Sequence, residues 1–338
     1  MKPLKIWLPA IRAHTGADVF TQRLAEALPR YGIAAEVTWF PRYREVFLPS
    51  SRALQVPYGT DVIHCNAGFA CAVVRLGLPT LATLHSYTEL AEFDQWKPLP
   101  TRLYHALLVR PRLRKAARLA TAFTAVSDTV AERASRALGC AAAITIGNWV
   151  DPIQFSPIQD SNTQESGRAV LFLGRNHWAK GADLLPELAL RLSPHGVILR
   201  CALAGNDWPG ASVPPNVELL GRLLPGQLLR ELRRARGLVM PSRCEGFPLA
   251  ALEAMACAKP VFGFRGTGLD MAVEDGINGR VVGMEHVEAL AEAIAGSILD
   301  EPRMKTMGSA ARNCVLTKFT EETAINKYIE CYRRLSAK

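Results

Sequence analysis

A chain of 338 residues with 49% hydrophobic and 21% charged side chains is long enough to divide into about two globular domains, which excludes a single small binding module. Its longest apolar stretches, such as Ala116–Val126, are broken by Arg or Thr well short of the about 18 residues a membrane-spanning helix needs. The net charge of +9 is uneven: residues 1–155 carry 18 basic and 11 acidic side chains, residues 156–338 carry 22 and 20, so the first half is expected to meet something anionic.

The N-terminus, MKPLKIWLPAIRAH, has neither a long apolar core nor a small-residue cleavage site; it reads as a first strand and predicts a cytoplasmic protein. Eight scattered cysteines form no C-x-x-C pair and have no His at zinc-finger spacing, so they are expected to be buried thiols. Further along, short Val-, Ile- and Leu-rich runs alternate with stretches of helical period, the pattern of parallel strands covered by helices on both faces. Strands are predicted at Leu4–Leu8, Ala35–Phe40, Asp61–Cys65, Pro79–Leu84, Ala122–Val126 and Ala143–Ile146, with a helix over Val19–Leu28 that buries Phe20, Leu24, Ala27 and Leu28.

The segment Asp151–Gly167 is poor in aliphatics and rich in Pro, Ser, Gln and Asn, as an exposed linker should be. From Ala169 a second series begins, with strands AVLFLG, VILRCALAG, NVELLG, GLVMPS, KPVFGF and GRVVG. Helices are predicted near Ala182–Leu192, Leu224–Arg234, Leu249–Ala256 and Val287–Leu299, and an amphipathic helix over Glu321–Leu335 closes the chain.

Ligands of open parallel sheets bind beyond the carboxyl ends of the strands, so the residues there carry the chemistry. After the first strand Gly16 opens a helix, either as a plain turn or as a loop that lets an anion reach helix amides. No G-x-G-x-x-G follows a strand, which counts against a dinucleotide-dependent dehydrogenase. His85 ends PTLATL, where an imidazole can exchange a hydrogen bond with a sugar hydroxyl or cap a loop. In LFLGRNHWAKG a strand ends at Gly174 and is followed by Arg175 and Lys180, two cations beside a helix start that suit two phosphates. In PSRCEGFPLAALEAMACAKPV, Glu245 lies in a strand-to-helix loop and Glu253 eight residues on, inside the helix.

The last run resembles the E-x7-E signature of the retaining glycosyltransferase family 4, and TGADVFTQRLAEAL, DVIHCNAGFA, PTLATLHS, FTAVSDTVAERA, FLGRNHWAKGADLL and VEDGINGRVV resemble its other segments. The resemblance implies the α/β GT-B architecture, two Rossmann-like domains with parallel sheets facing a central cleft. By it, an acceptor domain would span 1–155, a nucleotide-sugar donor domain 168–318, and residues 319–338 would cross back as a helix onto the first domain. It further implies that Arg175 and Lys180 bind the donor diphosphate and that Glu253 holds the ribose. Glu245 and the amides of Gly246 and Phe247 would contact the donor sugar, with Gly174, Pro248 and Leu249 completing the donor loop. His85 would touch the sugar from the other domain, and Gly16 would lie near the phosphates and acceptor. Three positions depart from the family pattern: Thr15 where a glycine is common, GNWVD in place of Pro-Asn-Gly-Val-Asp, and Asp270 in place of Glu.

The activity so implied is retaining transfer of a hexose-type sugar from a nucleotide-sugar to a glycan, lipid-linked or small-molecule acceptor, in cell-surface polysaccharide or glycolipid synthesis. No D-x-D is present to hold a divalent ion, so no metal and no cofactor are expected, and Arg175, Lys180 and helix dipoles must carry the leaving-group charge. Two alternatives stay open: a non-catalytic nucleotide-sugar-binding subunit, and a phosphorylase-type enzyme on the same fold. Residues 102–118 hold Arg102, Arg110, Arg112, Arg114, Lys115 and Arg118 among Leu and Tyr and no acid. That segment reads either as an interfacial helix on the anionic inner face of the membrane or as the polar face of an ordinary helix interrupted by Pro111. Nucleic acid is not expected as a partner.

Overall fold

The computed structural model describes residues 3–13, 15–50, 53–139, 143–157 and 167–337. The chain forms two compact units, Met1–Asn148 with Glu321–Lys338, and Trp149–Thr320.

In the first unit the chain runs through β1 (Lys5–Ile11), α1 (Gly16–Ala27), β2 (Ala34–Phe40), β3 (Val62–Asn66), α2 (Ala67–Val73), β4 (Thr80–Leu84), α3 (Leu99–Tyr104), α4 (Arg110–Leu119), β5 (Ala122–Ala125), α5 (Asp128–Leu138) and β6 (Ile144–Thr145). The strands form one all-parallel sheet in the order β2-β1-β3-β4-β5-β6. Every residue of β4 is buried, as a strand covered on both faces requires. Local chemistry sets the helix ends. The Asn66 side chain accepts the Gly68 N–H at 2.9 Å to start α2, Ser127 Oγ accepts the Val130 N–H at 3.2 Å to start α5, and Gly139 at φ +64° ends α5. Helix α1 buries Phe20, Leu24 and Ala27, as the spacing predicts.

Pro111 does not break the basic segment. A π-helical turn over His105–Val109 joins α3 to α4 with helical backbone running on through Val109 and Arg110, and this widened turn directly ahead of Pro111 makes room for a residue that lacks an N–H and crowds the carbonyls before it.

The second unit contains β7 (Ala169–Phe172), α6 (Leu185–Leu192), β8 (Ile198–Cys201), β9 (Val217–Leu219), α7 (Pro225–Arg234), β10 (Gly237–Met240), α8 (Leu249–Ala256), β11 (Val261–Phe264), β12 (Gly279–Val282), α9 (Val287–Ile298) and α10 (Glu301–Lys318). Its parallel sheet has the order β12-β11-β10-β7-β8-β9. Val170, Phe172, Leu199, Val239 and Phe262 from its central strands pack with Leu185, Leu188, Leu290 and Ile294 of α6 and α9 in a single core. Helix α10 has no counterpart in the pattern reading. It buries only Met304, Met307, Gly308, Ala311 and Val315, and at Gly308 it packs so closely that an added Cβ would lie 2.3 Å from the Ala258 carbonyl oxygen.

The stretch read as an exposed linker is in part packed. Phe155 is buried, and Arg312 donates to the carbonyls of Phe155 and Pro152 at 3.3 and 3.4 Å. The Arg233 Nε–H donates to the Ser156 carbonyl at 2.8 Å. These contacts join residues 152–156 to the second unit, and the compact units divide between Asn148 and Trp149, upstream of the linker at Asp151–Gly167 drawn from composition and of the boundary at 155 that the resemblance implies. The rest of that stretch, residues 158–166, lies outside the described residues. The final helix, α11 (Glu321–Ser336), belongs to the first unit. There Tyr332 OH lies 2.6 Å from His64 Nδ1 of β3, and Glu321 pairs with Arg30 at 2.5 Å.

Candidate functional site

In the second sheet β7 has β8 and then β9 on one side, β10, β11 and β12 on the other. The order therefore reverses between β7 and β10, and the loops leaving these two strands flank the crevice in which open parallel sheets place ligands. Both strongest sequence signals fall there: Gly174–Gly181 follows β7, and Pro241–Pro248 follows β10.

Backbone contacts fix the two loops against each other. The amides of Arg243 and Cys244 donate to the Ala179 carbonyl at 3.0 and 3.2 Å. Gly181, at φ +63°, lies so close that an added Cβ would be 1.8 Å from the Pro241 carbonyl oxygen; only glycine meets both demands. A Cβ at Gly268 would fall 1.8 Å from the Gly246 carbonyl oxygen, and the Gly268 N–H donates to the Glu245 carbonyl at 2.9 Å. The loop after β11 thus backs the Glu245–Gly246 peptide.

This scaffold brings Lys180 and Glu245 together. Lys180 Nζ donates to Glu245 Oε1 at 2.7 Å, and Ser242 Oγ donates to the same oxygen at 2.8 Å. The carboxylate is 7% exposed and the lysine side chain 36%, so a side chain partly open to solvent carries its charge to a buried carboxylate. Arg175 is exposed and has no hydrogen bond or ion pair among the described residues. The His177 pKa is lowered, first by burial and then by the charges of Arg175 and Lys180, which marks the loop as a cationic patch. Gly174 turns back over the Phe172 ring, 2.7 Å from where its Cβ would be.

Sequence reasoning missed Arg243. Its side chain is 3% exposed; the guanidinium grips Asp183 through two bonds of 2.7 Å, donates to Glu285 at 2.6 Å and donates to the Trp178 carbonyl at 2.9 Å. It ties the Lys180 loop to the Glu245 loop from beneath. Glu285 holds its end at φ +63°, an uncommon conformation for a side chain other than Asn or Gly. The available signal was a charged residue inside the otherwise uncharged PSRC run.

Pro248 precedes α8 and Leu249 opens it. The Phe247 ring is turned into the core against Phe319, with centroids 5.1 Å apart. Glu253, within α8, is 8% exposed. Asp270, the departure from the family pattern, accepts the Gly266 N–H at 2.7 Å, and burial raises its pKa.

The remaining two residues lie in the first unit. His85 follows β4, its ring edge-on to Phe20 with centroids 4.6 Å apart, and burial lowers its pKa to about 4, so the imidazole is neutral near pH 7. Gly16 is the first residue of α1. In that first turn Asp18 accepts the Ala13 N–H at 2.9 Å and the Thr15 hydroxyl at 3.2 Å, so a carboxylate already faces this helix terminus.

Residues 17–154 match the model described as glycosyltransferase family 4, and residues 156–314 the model described as glycosyl transferases group 1. The D-inositol 3-phosphate glycosyltransferase of Kribbella flavida is 33% identical over 166 residues, 44% of this chain and 39% of that relative. The matched spans cover 34 to 39% of the length of the first curated relatives. Among solved structures, sucrose-phosphate synthase of Thermosynechococcus elongatus has a TM-score of 0.80 at 22% identity, covering 99% of both chains. HepE of Anabaena, solved in complex with UDP-glucose, has a TM-score of 0.75 at 19% identity, covering 98% of this chain and 100% of that one. With one family domain over each half and the two-sheet fold of these structures, the chain belongs to the family 4, group 1 glycosyltransferases of GT-B architecture.

Proposed function

We propose that the protein transfers a hexose-type sugar from a nucleotide-sugar donor to a glycan, lipid-linked or small-molecule acceptor, with retention at the anomeric carbon and without a divalent metal. The observation that carries this reading is the 2.7 Å contact of Lys180 with the buried Glu245, which unites the loops after β7 and β10 at the point where the sheet order reverses. When the glycosidic C–O bond breaks, negative charge gathers on the diphosphate and positive charge on the sugar ring. Lys180 and Arg175 take the diphosphate, Glu245 faces the sugar, and Glu253 takes the ribose hydroxyls. A preorganised cation needs no reorganisation as the charge develops, which is where most of the rate gain of such sites arises. Arg243 positions Lys180 and Glu245 without touching the donor.

The UDP-glucose complex of HepE and the names of the relatives support a nucleotide-sugar donor. Retention, and a sugar contact for His85, rest on the family resemblance. The test is turnover of the purified protein with a panel of sugar nucleotides and acceptors in excess EDTA. Undiminished turnover is expected; loss of activity that only magnesium or manganese restores would overturn the metal-independent reading.

A further inference from the structure

We propose that the first unit rests on an anionic lipid bilayer through one face built from α3, the π-helical turn, α4 and the turn at 42–47. Three observations meet there. Leu99, Leu103 and Leu107, each four residues from the next along one helical run, are 62%, 51% and 74% exposed. Scattered single leucines are ordinary on a surface, but a row of three with nothing packed over it is the feature of a helix that lies in a membrane interface.

A second segment, which the sequence gives no reason to connect with the first, is fastened beside it. The guanidinium of Arg112 in α4 donates to the carbonyls of Glu45 and Val46 at 2.9 and 2.7 Å. This holds the helical turn Arg42–Glu45, which the exposed Phe47 follows, against α4, so an aromatic side chain is offered from the same unit as the leucines.

Charge selects the partner. Residues 99–119 contain no acid, Arg102, Arg114, Lys115 and Arg118 are exposed, and the one acid of the turn at 42–47, the exposed Glu45, is outnumbered there by Arg42 and Arg44. Arg110 is not part of the face's charge, because it is engaged by the Glu89 carbonyl at 2.7 Å and by Asp94 at 2.5 Å. Exposed leucines interleaved with cations suit lipid tails beneath anionic headgroups, whereas two copies of this face would repel each other. No helix among the described residues is long and apolar enough to cross a membrane, and the contact proposed is one with the bilayer surface.

The experiment is sedimentation of the full chain with sucrose-loaded vesicles of phosphatidylcholine, with and without 30% phosphatidylglycerol (about one anionic lipid in three). Binding is expected to the anionic vesicles only and to weaken as salt rises. Each cation near such a surface contributes about fivefold to partitioning, so Arg114→Glu with Lys115→Glu is expected to weaken binding by about 25-fold or more. Leu103→Ser with Leu107→Ser, both at exposed positions, is expected to weaken it at unchanged charge and unchanged melting temperature. The charge-matched control Arg222→Glu with Arg230→Glu, exposed in the second unit, is expected to bind like wild type.

Absence of binding, equal binding to neutral vesicles, or equal losses in face and control variants would overturn the proposal. So would a dimer in light scattering that the leucine variant dissolves, or tighter binding to duplex DNA than to the vesicles. None of these readouts depends on turnover.

Discussion

In the proposed reaction Lys180 has two roles that can be separated. Its ammonium is the partner of a carboxylate that is only 7% exposed, so Lys180→Ala removes both the cation proposed to meet the donor and the counter-charge of Glu245. Arg175 is exposed and unpaired among the described residues, so its removal leaves nothing stranded. Lys180→Ala is therefore expected to lose about 100- to 1,000-fold in turnover and about 1 to 3 kcal/mol in stability. Arg175→Ala is expected to lose turnover alone. Kinetics paired with urea denaturation check this, and equal destabilisation by both variants would contradict it. Lys180, Glu245 and Glu253 could be singled out in sequence because they follow predicted strands in runs that resemble the family's segments, and the structure brings Lys180 onto Glu245. Arg243 could not, because its value comes from Asp183 and Glu285, which only the fold brings to it.

The strands and most helices followed from apolar runs and their punctuation, since a strand buried on both faces leaves a continuous apolar signature. Elements that pack through small residues did not. Helix α10 meets α8 where Gly308 approaches the Ala258 carbonyl, leaving a narrow buried stripe in a polar segment. The placement of α11 was implied by the family resemblance, but its anchor was not. That anchor is a buried polar chain in which His64 Nδ1 meets Tyr332 OH and His64 Nε2 meets Thr83 Oγ1, both at 2.6 Å.

Burial lowers the pKa of His64 to about 3, with a further contribution from His85, and burial lowers that of His85 to about 4. The unfolded chain thus takes up protons near pH 6.5 that the folded unit refuses. Stability is complete above about pH 6.5 and falls as the pH drops toward 4, by up to about 1.4 kcal/mol per pH unit for each histidine. His64→Gln is expected to make this decline shallower in denaturation series from pH 7 to 4.5. An unchanged slope would contradict the assignment of His64 as a buried neutral group.

At the scale of the whole molecule, two doubly wound sheets carry different burdens. The second has the cationic loop and the buried carboxylates; the first has most of the excess positive charge and the exposed leucines of α3. A nucleotide that binds the second unit should raise its melting temperature by mass action, by about 2.7 kcal/mol of added stability at a hundredfold excess over Kd. Scanning UDP, GDP and ADP in a thermal-shift series is expected to single out one base. Equal shifts with all three would mean that the site reads only the diphosphate.

Calorimetric titration of that nucleoside diphosphate into wild type and the Lys180→Ala and Arg175→Ala variants, all in EDTA, tests the assignment of leaving-group charge most directly. Saturable binding by wild type is expected, weakened at least tenfold in each variant, as the loss of a charge-assisted hydrogen bond requires. Wild-type affinity in both variants, or binding that appears only when a divalent ion is restored, would contradict it.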